Sequence, residues 1–151
     1  MIEDFIPHRG PARWIDRLVE ADAEHAVAES DVPAEGRQVH DGEMPAWAGV
    51  ELMAQTVAAW AGACAQRAGR PVQVGFLLGT RRYLAHCDGF TSGSTLRIAA
   101  QREFVSDEGL GMFSCSIHCG EALLAQAQVS VFEPHDAAPY LHGLPTGAAG
   151  G

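Results

Sequence analysis

Apolar positions recur along this chain in two ways, as stretches of partial alternation and as one long block. The block runs from Pro45 to Arg67 and is closed by Gly69-Arg-Pro71. An apolar run of that length without alternation predicts a helix, and the glycine and proline that follow predict its end. A helix that is apolar nearly all round is buried inside its domain. Before it, Arg13 to Glu20 and His25 to Val32 alternate in part around the polar turn Asp22-Ala-Glu24, which predicts a β-hairpin. Pro33 to Met44, with Pro33, Gly36 and Gly42, reads as a loop. After the helix, strands are predicted over Val72 to Leu78, Thr95 to Val105, Leu110 to Cys119 and Ala122 to Phe132, separated by Asp88-Gly89, Asp107-Glu-Gly109 and Gly120-Glu121. One long helix among antiparallel strands buries its surface most simply when the sheet wraps around it, so the expected class is α+β. From Pro134 the composition turns to Pro, Gly, Ala and His, which predicts a folded domain over 1–133 and a flexible tail over 134–151.

With 151 residues, 47% of them hydrophobic, the chain can bury one proper core and is too short for two ordinary domains. The net charge of −9 opposes non-specific binding to nucleic acid, and the ten basic residues, all arginine, form no basic stripe. The absence of lysine excludes Schiff-base chemistry on a lysine amine. No membrane span is expected, because Glu51 and Gln55 interrupt the longest apolar run. Met1 to Pro7 lacks the basic and hydrophobic regions of a signal peptide, and four cysteines without a CxxC pair suit free thiols, so the expected compartment is the cytoplasm. Cys115-Ser-Ile-His118-Cys119 has metal-binding residue types. In a strand, however, Cys115, Ile117 and Cys119 share a face that His118 does not, and no metal is expected there.

Glu51 is the chemically informative residue. A carboxylate planted in a buried helix is expensive unless it has a raised pKa or a dedicated partner, and perturbed carboxylates cluster at catalytic sites. A simpler reading is stabilisation by the helix dipole, with Pro45 or Ala46 near the first helical position. The two readings are compatible. Gln55, one turn on, shares the face of Glu51 and is placed to hydrogen-bond it or a bridging water. Free N–H groups at the helix start, those of Ala46 or Trp47, suit an oxyanion. Trp47 and Trp60 read as core or tunnel wall. Arg81-Arg82, at the end of an apolar strand, is either solvated or a contact for an acidic partner. His25, His86, His135 and His142 read as solvated.

Two blocks carry a family resemblance. Ile6-Pro-His-Arg-Gly-Pro11 with Trp14-Ile-Asp-Arg-Leu-Val-Glu20, and Pro45 through Gln55, resemble the hot-dog-fold 3-hydroxyacyl-[acyl carrier protein] dehydratases of the FabZ type. Met53 to Gly62 and Gly75-Phe-Leu-Leu-Gly79-Thr-Arg-Arg resemble more closely the dehydratase-like proteins of aryl polyene and xanthomonadin pigment clusters. The resemblance implies a hot-dog fold, an antiparallel sheet wrapped around one central helix. It implies dehydration of 3-hydroxyacyl thioesters to trans-2-enoyl products in fatty acid or aryl polyene (polyketide) biosynthesis. The substrate would ride on the 4′-phosphopantetheine of an acyl carrier protein, with no metal or redox cofactor, and Arg81 and Arg82 would meet that carrier. Glu51 matches the family's glutamate, which works with a histidine across a dimer interface. Counting back from the shared proline, the histidine position falls on Arg37, and the nearest imidazole is His40. Either a shortened loop gives His40 the role of base, or the subunit lacks one. The resemblance thus leaves open a homodimer and a heterodimer with a second hot-dog dehydratase, in which this chain is a non-catalytic or half-site subunit. A hot-dog acyl thioesterase is the third alternative. His8, in the Pro-His-Arg block, is implied to be structural.

Overall fold

The structure is a computed structural model that describes residues 1–70 and 76–132; the expected tail, with His135 and His142, and the predicted strand start at Val72 lie outside them. Two short 3-10 turns, Ile2–Asp4 and Gly10–Ala12, lead into strands β1 (Arg17–Ala21) and β2 (His25–Asp31). Then come β3 (Glu43–Pro45), helix α1 (Ala48–Arg67), β4 (Phe76–Ala85), β5 (Gly89–Thr91), β6 (Thr95–Val105), β7 (Leu110–Cys119) and β8 (Ala122–Phe132). Six strands form one antiparallel sheet in the order β1-β2-β6-β7-β8-β4, and β3 pairs with β5 in a second, two-stranded sheet.

Period-two patterning builds the sheet around the helix. In β7, Phe113, Cys115 and Ile117 are buried while Ser114, Ser116 and His118 take the other face. Cys115 stands opposite Ala100 of β6 and Ala127 of β8, and Ile117 opposite Ile98 and Ala125. Apolar burial pushes the Cys115 thiol up to about 12, so it is a packing residue without thiolate character. The helix meets this face with Ala48, Gly49, Leu52, Met53, Val57, Ala59, Ala63 and Ala65, small enough side chains for the strands to curl closely around it. Trp60 is partly buried, stacks edge-on against Phe113 at 5.1 Å, and donates its indole N–H to Asp22 O at 2.9 Å. The helix stops where the sequence predicts, with Gly69 at φ +70° and Arg70 N–H returning to Ala65 O at 2.8 Å. Among the described residues no helix is long and apolar enough to cross a membrane.

Several boundaries differ from the sequence reading, among them the start of β1, which lies at Arg17 and not at Arg13. Pro45 closes β3 instead of opening the helix, where a residue without an N–H does no harm to a two-stranded edge. The helix begins at Ala48, after a turn through Ala46 and Trp47. The strand expected to end at Leu78 continues to Ala85, because a register irregularity between Arg81 and Leu84 re-aims its side chains and disguises the alternation.

Candidate active site

The N-terminal segment forms the wall beside Glu51. Ile2 and Ile6 are buried in the core, Gln66 Nε2 donates to Asp4 O at 2.7 Å, and Gly62 lets the Phe5 carbonyl pass against the helix. Arg9 then folds back on its own segment, donating to Ile6 O (2.6 Å), His8 O (2.8 Å) and Glu3 O (2.9 Å). This brings His8 over the first turn of α1, with its Nε2 3.8 Å from Glu51 Oε2. Gln55, fully buried, holds the other side. Its Oε1 accepts from Trp14 N–H (2.8 Å) and Ile15 N–H (3.2 Å), and its Nε2 donates to Ala12 O (2.8 Å) and Glu51 Oε2 (2.7 Å). With all four hydrogen-bonding positions used, the Gln55 amide is fixed, and it fixes one oxygen of Glu51. Glu51 itself departs from the expectation of burial. Its side chain is 39% exposed, because the first turn of α1 emerges from the sheet and, among the described residues, the segment from His8 to Trp14 is what flanks it. The anticipated compensation is therefore a set of partners.

The helix start is organised from the opposite side by β4. Arg82 adopts φ +55° at the β4 irregularity, and the next residue, Tyr83, reaches across to donate its hydroxyl to Ala46 O. A Cβ on Gly49 would overlap that hydroxyl, so the glycine makes the contact possible. Burial pushes the phenol up to about 12 and keeps it a neutral donor. Gly49 N–H also reaches Ala46 O, at 3.1 Å. In a trans peptide the C=O of Ala46 and the N–H of Trp47 point opposite ways, so anchoring one directs the other away from the core. Among the described residues no acceptor meets the Trp47 N–H. The Trp47 side chain is exposed in the single chain and is therefore not core, because the turn that carries it lies outside the sheet.

The remaining candidates are dispersed. His40 is 89% exposed, beside Asp41 at 3.4 Å, and among the described residues none of its contacts leads to Glu51. Arg37 is instead built in: its guanidinium donates to both carboxylate oxygens of Asp16 (2.7 and 2.9 Å), to Trp14 O (2.7 Å), Ser30 Oγ (3.1 Å) and Asp31 O (3.3 Å). Desolvation raises the Asp16 carboxyl, but its hydrogen bonds from Arg37 and Asp31 N–H, with the charge of Arg37, outweigh that and leave it below the ordinary carboxylate value. Arg81 and Arg82 are exposed on the edge strand β4, immediately before the tyrosine that touches the helix start. His8 is the residue that sequence reasoning did not connect with Glu51. It lies 43 positions from Glu51, and no local pattern could join them. Among the described residues no three His, Cys, Asp or Glu side chains are grouped to hold a metal ion.

The chain matches the ApeP-like family, described as ApeP dehydratase, over residues 1–142. It is similar in structure to a chain of the dehydratase heterocomplex ApeI:P from Xenorhabdus doucetiae, at 25% identity and TM-score 0.82, covering 90% of this chain and 92% of that one. AziG of S. sahachiroi (13% identity, TM-score 0.62, 80% and 90% covered) and the E. coli PaaI protein of the phenylacetic acid degradation operon (15%, 0.59, 77% and 81%) share the fold alone. No curated protein matches the sequence. The sheet-wrapped helix is a hot-dog fold, and the chain belongs to the ApeP-like family of dehydratases.

Proposed function

We propose that this dehydratase removes water from 3-hydroxyacyl thioesters carried on the 4′-phosphopantetheine of an acyl carrier protein, giving trans-2-enoyl thioesters in the assembly of an aryl polyene chain. The observation that carries this reading is the fixed Glu51–Gln55 pair at an open helix start. A base takes the proton from C2, the C2–C3 double bond forms, and the C3–O bond breaks as Glu51 hands its proton to the departing hydroxyl, which leaves as water. The thioester oxygen gains negative charge on the way and is met by the Trp47 or Ala46 N–H at the positive end of α1. The reaction is redox-neutral and needs no metal or redox cofactor. Arg81 and Arg82 suit the acidic carrier, since the Tyr83 contact places them next to the turn that the pantetheine arm must reach.

The base comes from across a subunit interface. His40 of a second copy is one source. The clamp on Arg37 and the exposure of His40 support the other, in which this chain is the acid half of a heteromeric site and a second hot-dog dehydratase supplies the imidazole. The similar X. doucetiae structure is a dehydratase heterocomplex, which supports the same arrangement. The deciding experiment assays the purified protein on a 3-hydroxyacyl carrier protein, alone and with its cognate hot-dog partner, in wild-type, Glu51→Gln and His40→Ala forms. Glu51→Gln is expected to lower turnover about a hundredfold or more in the active form. Loss with His40→Ala identifies a homodimeric enzyme, and indifference to it in the partnered form identifies the half-site. Unchanged turnover in Glu51→Gln overturns the acid assignment, and release of free carrier thiol without an enoyl product would mark a thioesterase.

A further inference from the structure

We propose that His8 is a positioning residue for Glu51, acting with Gln55 to tie down Oε2 and leave Oε1 as the oxygen that carries the proton to the substrate. This rests on the reading of Glu51 as the general acid. His8 Nδ1 is buried and meets no hydrogen-bond partner among the described residues, while Nε2 lies 3.8 Å from Glu51 Oε2. A neutral imidazole protonates one nitrogen. An orphaned buried N–H is the more costly choice than an orphaned lone pair, so the proton sits on Nε2, on the side of Glu51. The Gln55 amide donates to the same oxygen at 2.7 Å. Two donors converging on Oε2 occupy its lone pairs and disfavour a proton there, so a protonated Glu51 carries its O–H at Oε1. The 3.8 Å gap is too long for a hydrogen bond, and gaps of this kind close in the substrate complex. His8 is otherwise hard to explain. The segment that bears it is anchored by Ile2, Ile6, Arg9 and the Gln66 contact, none of which needs an imidazole at position 8.

The test joins a spectroscopic readout to a kinetic one. In full-length protein labelled with 15N-histidine, the His8 ring, assigned by comparison with His8→Gln, is expected to show an unprotonated Nδ1 and a protonated Nε2 whose resonance moves in Glu51→Gln. A ring protonated at Nδ1, or one blind to Glu51→Gln, overturns the proposal. In the active form of the enzyme, His8→Ala is expected to lower kcat roughly tenfold to a hundredfold with KM held within about twofold. His8→Gln, whose amide N–H reaches as far as Nε2, recovers most of the loss, and His8→Asn, whose amide stops short, does not. Equal activity in all three variants, or a change confined to KM, overturns the role. The failures separate cleanly: unchanged turnover in Glu51→Gln removes the acid and His8's role with it, whereas a large loss there beside wild-type kcat in His8→Ala removes His8 alone.

Discussion

Arg37 occupies the position at which the resemblance places a histidine, and Arg37→His therefore tests whether that position is chemical or structural. The guanidinium grips Asp16 through two bonds of 2.7 and 2.9 Å, with the two side chains only 15% and 19% exposed. Removing one partner of a buried pair costs about 3–5 kcal/mol. The fractional exposure lowers that, and Asp16 keeps the Asp31 N–H at 2.8 Å and Arg13 at 3.8 Å. The variant should lose about 2–3 kcal/mol. In a domain of this size that lowers the thermal midpoint by about 4–12 °C. The backbone is not the cause, because histidine tolerates the φ of +51° found here better than most residues do. Without Arg37, desolvation dominates at Asp16 and raises its carboxyl, so the deficit should be full above the carboxylate range and narrow as pH falls through it, where protonation removes the unpaired charge. Urea denaturation of Arg37→Ala, Asp16→Asn and the double variant should return a coupling of at least about 1 kcal/mol. Turnover should not be gained in Arg37→His. A loss below about 1 kcal/mol, or new base-dependent turnover, would refute the structural assignment.

Other expectations probe the supports of the site. In Gly62→Ala the new Cβ overlaps the Phe5 carbonyl oxygen and sits 2.7 Å from its carbon; backbone cannot yield cheaply, so about 1–3 kcal/mol of overpacking should exceed the roughly 1 kcal/mol gain in helix propensity, and thermal melting of a stabilised variant would contradict this. Tyr83→Phe removes the donor to Ala46 O while Gly49 N–H remains, so stability should fall by about 1 kcal/mol and kcat by more than KM changes; wild-type kcat would show that the turn needs no anchor. Asp31 is held down to about 2, chiefly by its hydrogen bond from Arg17 and then by Thr95, so its contribution is complete above the ordinary carboxylate value and is lost as pH falls toward 2. His25 is raised, first by its hydrogen bond to Glu20 and then by Asp22, so its contribution is complete below the ordinary imidazole value and is lost as pH climbs through the higher folded value. The thermal midpoint of His25→Ala should accordingly fall less than wild type between neutral and mildly alkaline pH, and parallel curves would disprove the staple.

Local pattern carried the main sheet and its helix. The alternation of β7 and the glycine stop after Arg67 each depend on neighbours in the chain, and the structure has both. The features that escaped are those set by distant residues. Strands β3 and β5 are three residues each, too short for a period, and exist because they pair with one another. The continuation of β4 hides behind its irregular register at Arg81 to Leu84. At the site, the Glu51–Gln55 contact follows from a spacing of four, whereas the approach of His8 depends on Gly62, Arg9 and two buried isoleucines acting together.

The loop between β2 and β3 shows why counting along the sequence does not locate the residues around it in space. Within 36–42, Gly36, Arg37, Gln38, Asp41 and Gly42 all have positive φ, at 85°, 51°, 67°, 53° and 80°. A chain wound this tightly no longer converts position in sequence into position in space. Each of the three non-glycine residues costs about 1 kcal/mol or more in the left-handed region. The contacts that offset this are the Arg37 clamp, Ser92 Oγ on Pro33 O at 2.8 Å, and Ser92 N–H on Gly42 O at 2.9 Å. They tie the loop to the segment before β1 and the end of β2 on one side and to the turn after β5 on the other. β3, and through it the exposed first turn of α1, is thereby held in place. Arg37 thus bears on the helix start indirectly, by helping to fix the loop from which β3 and α1 follow.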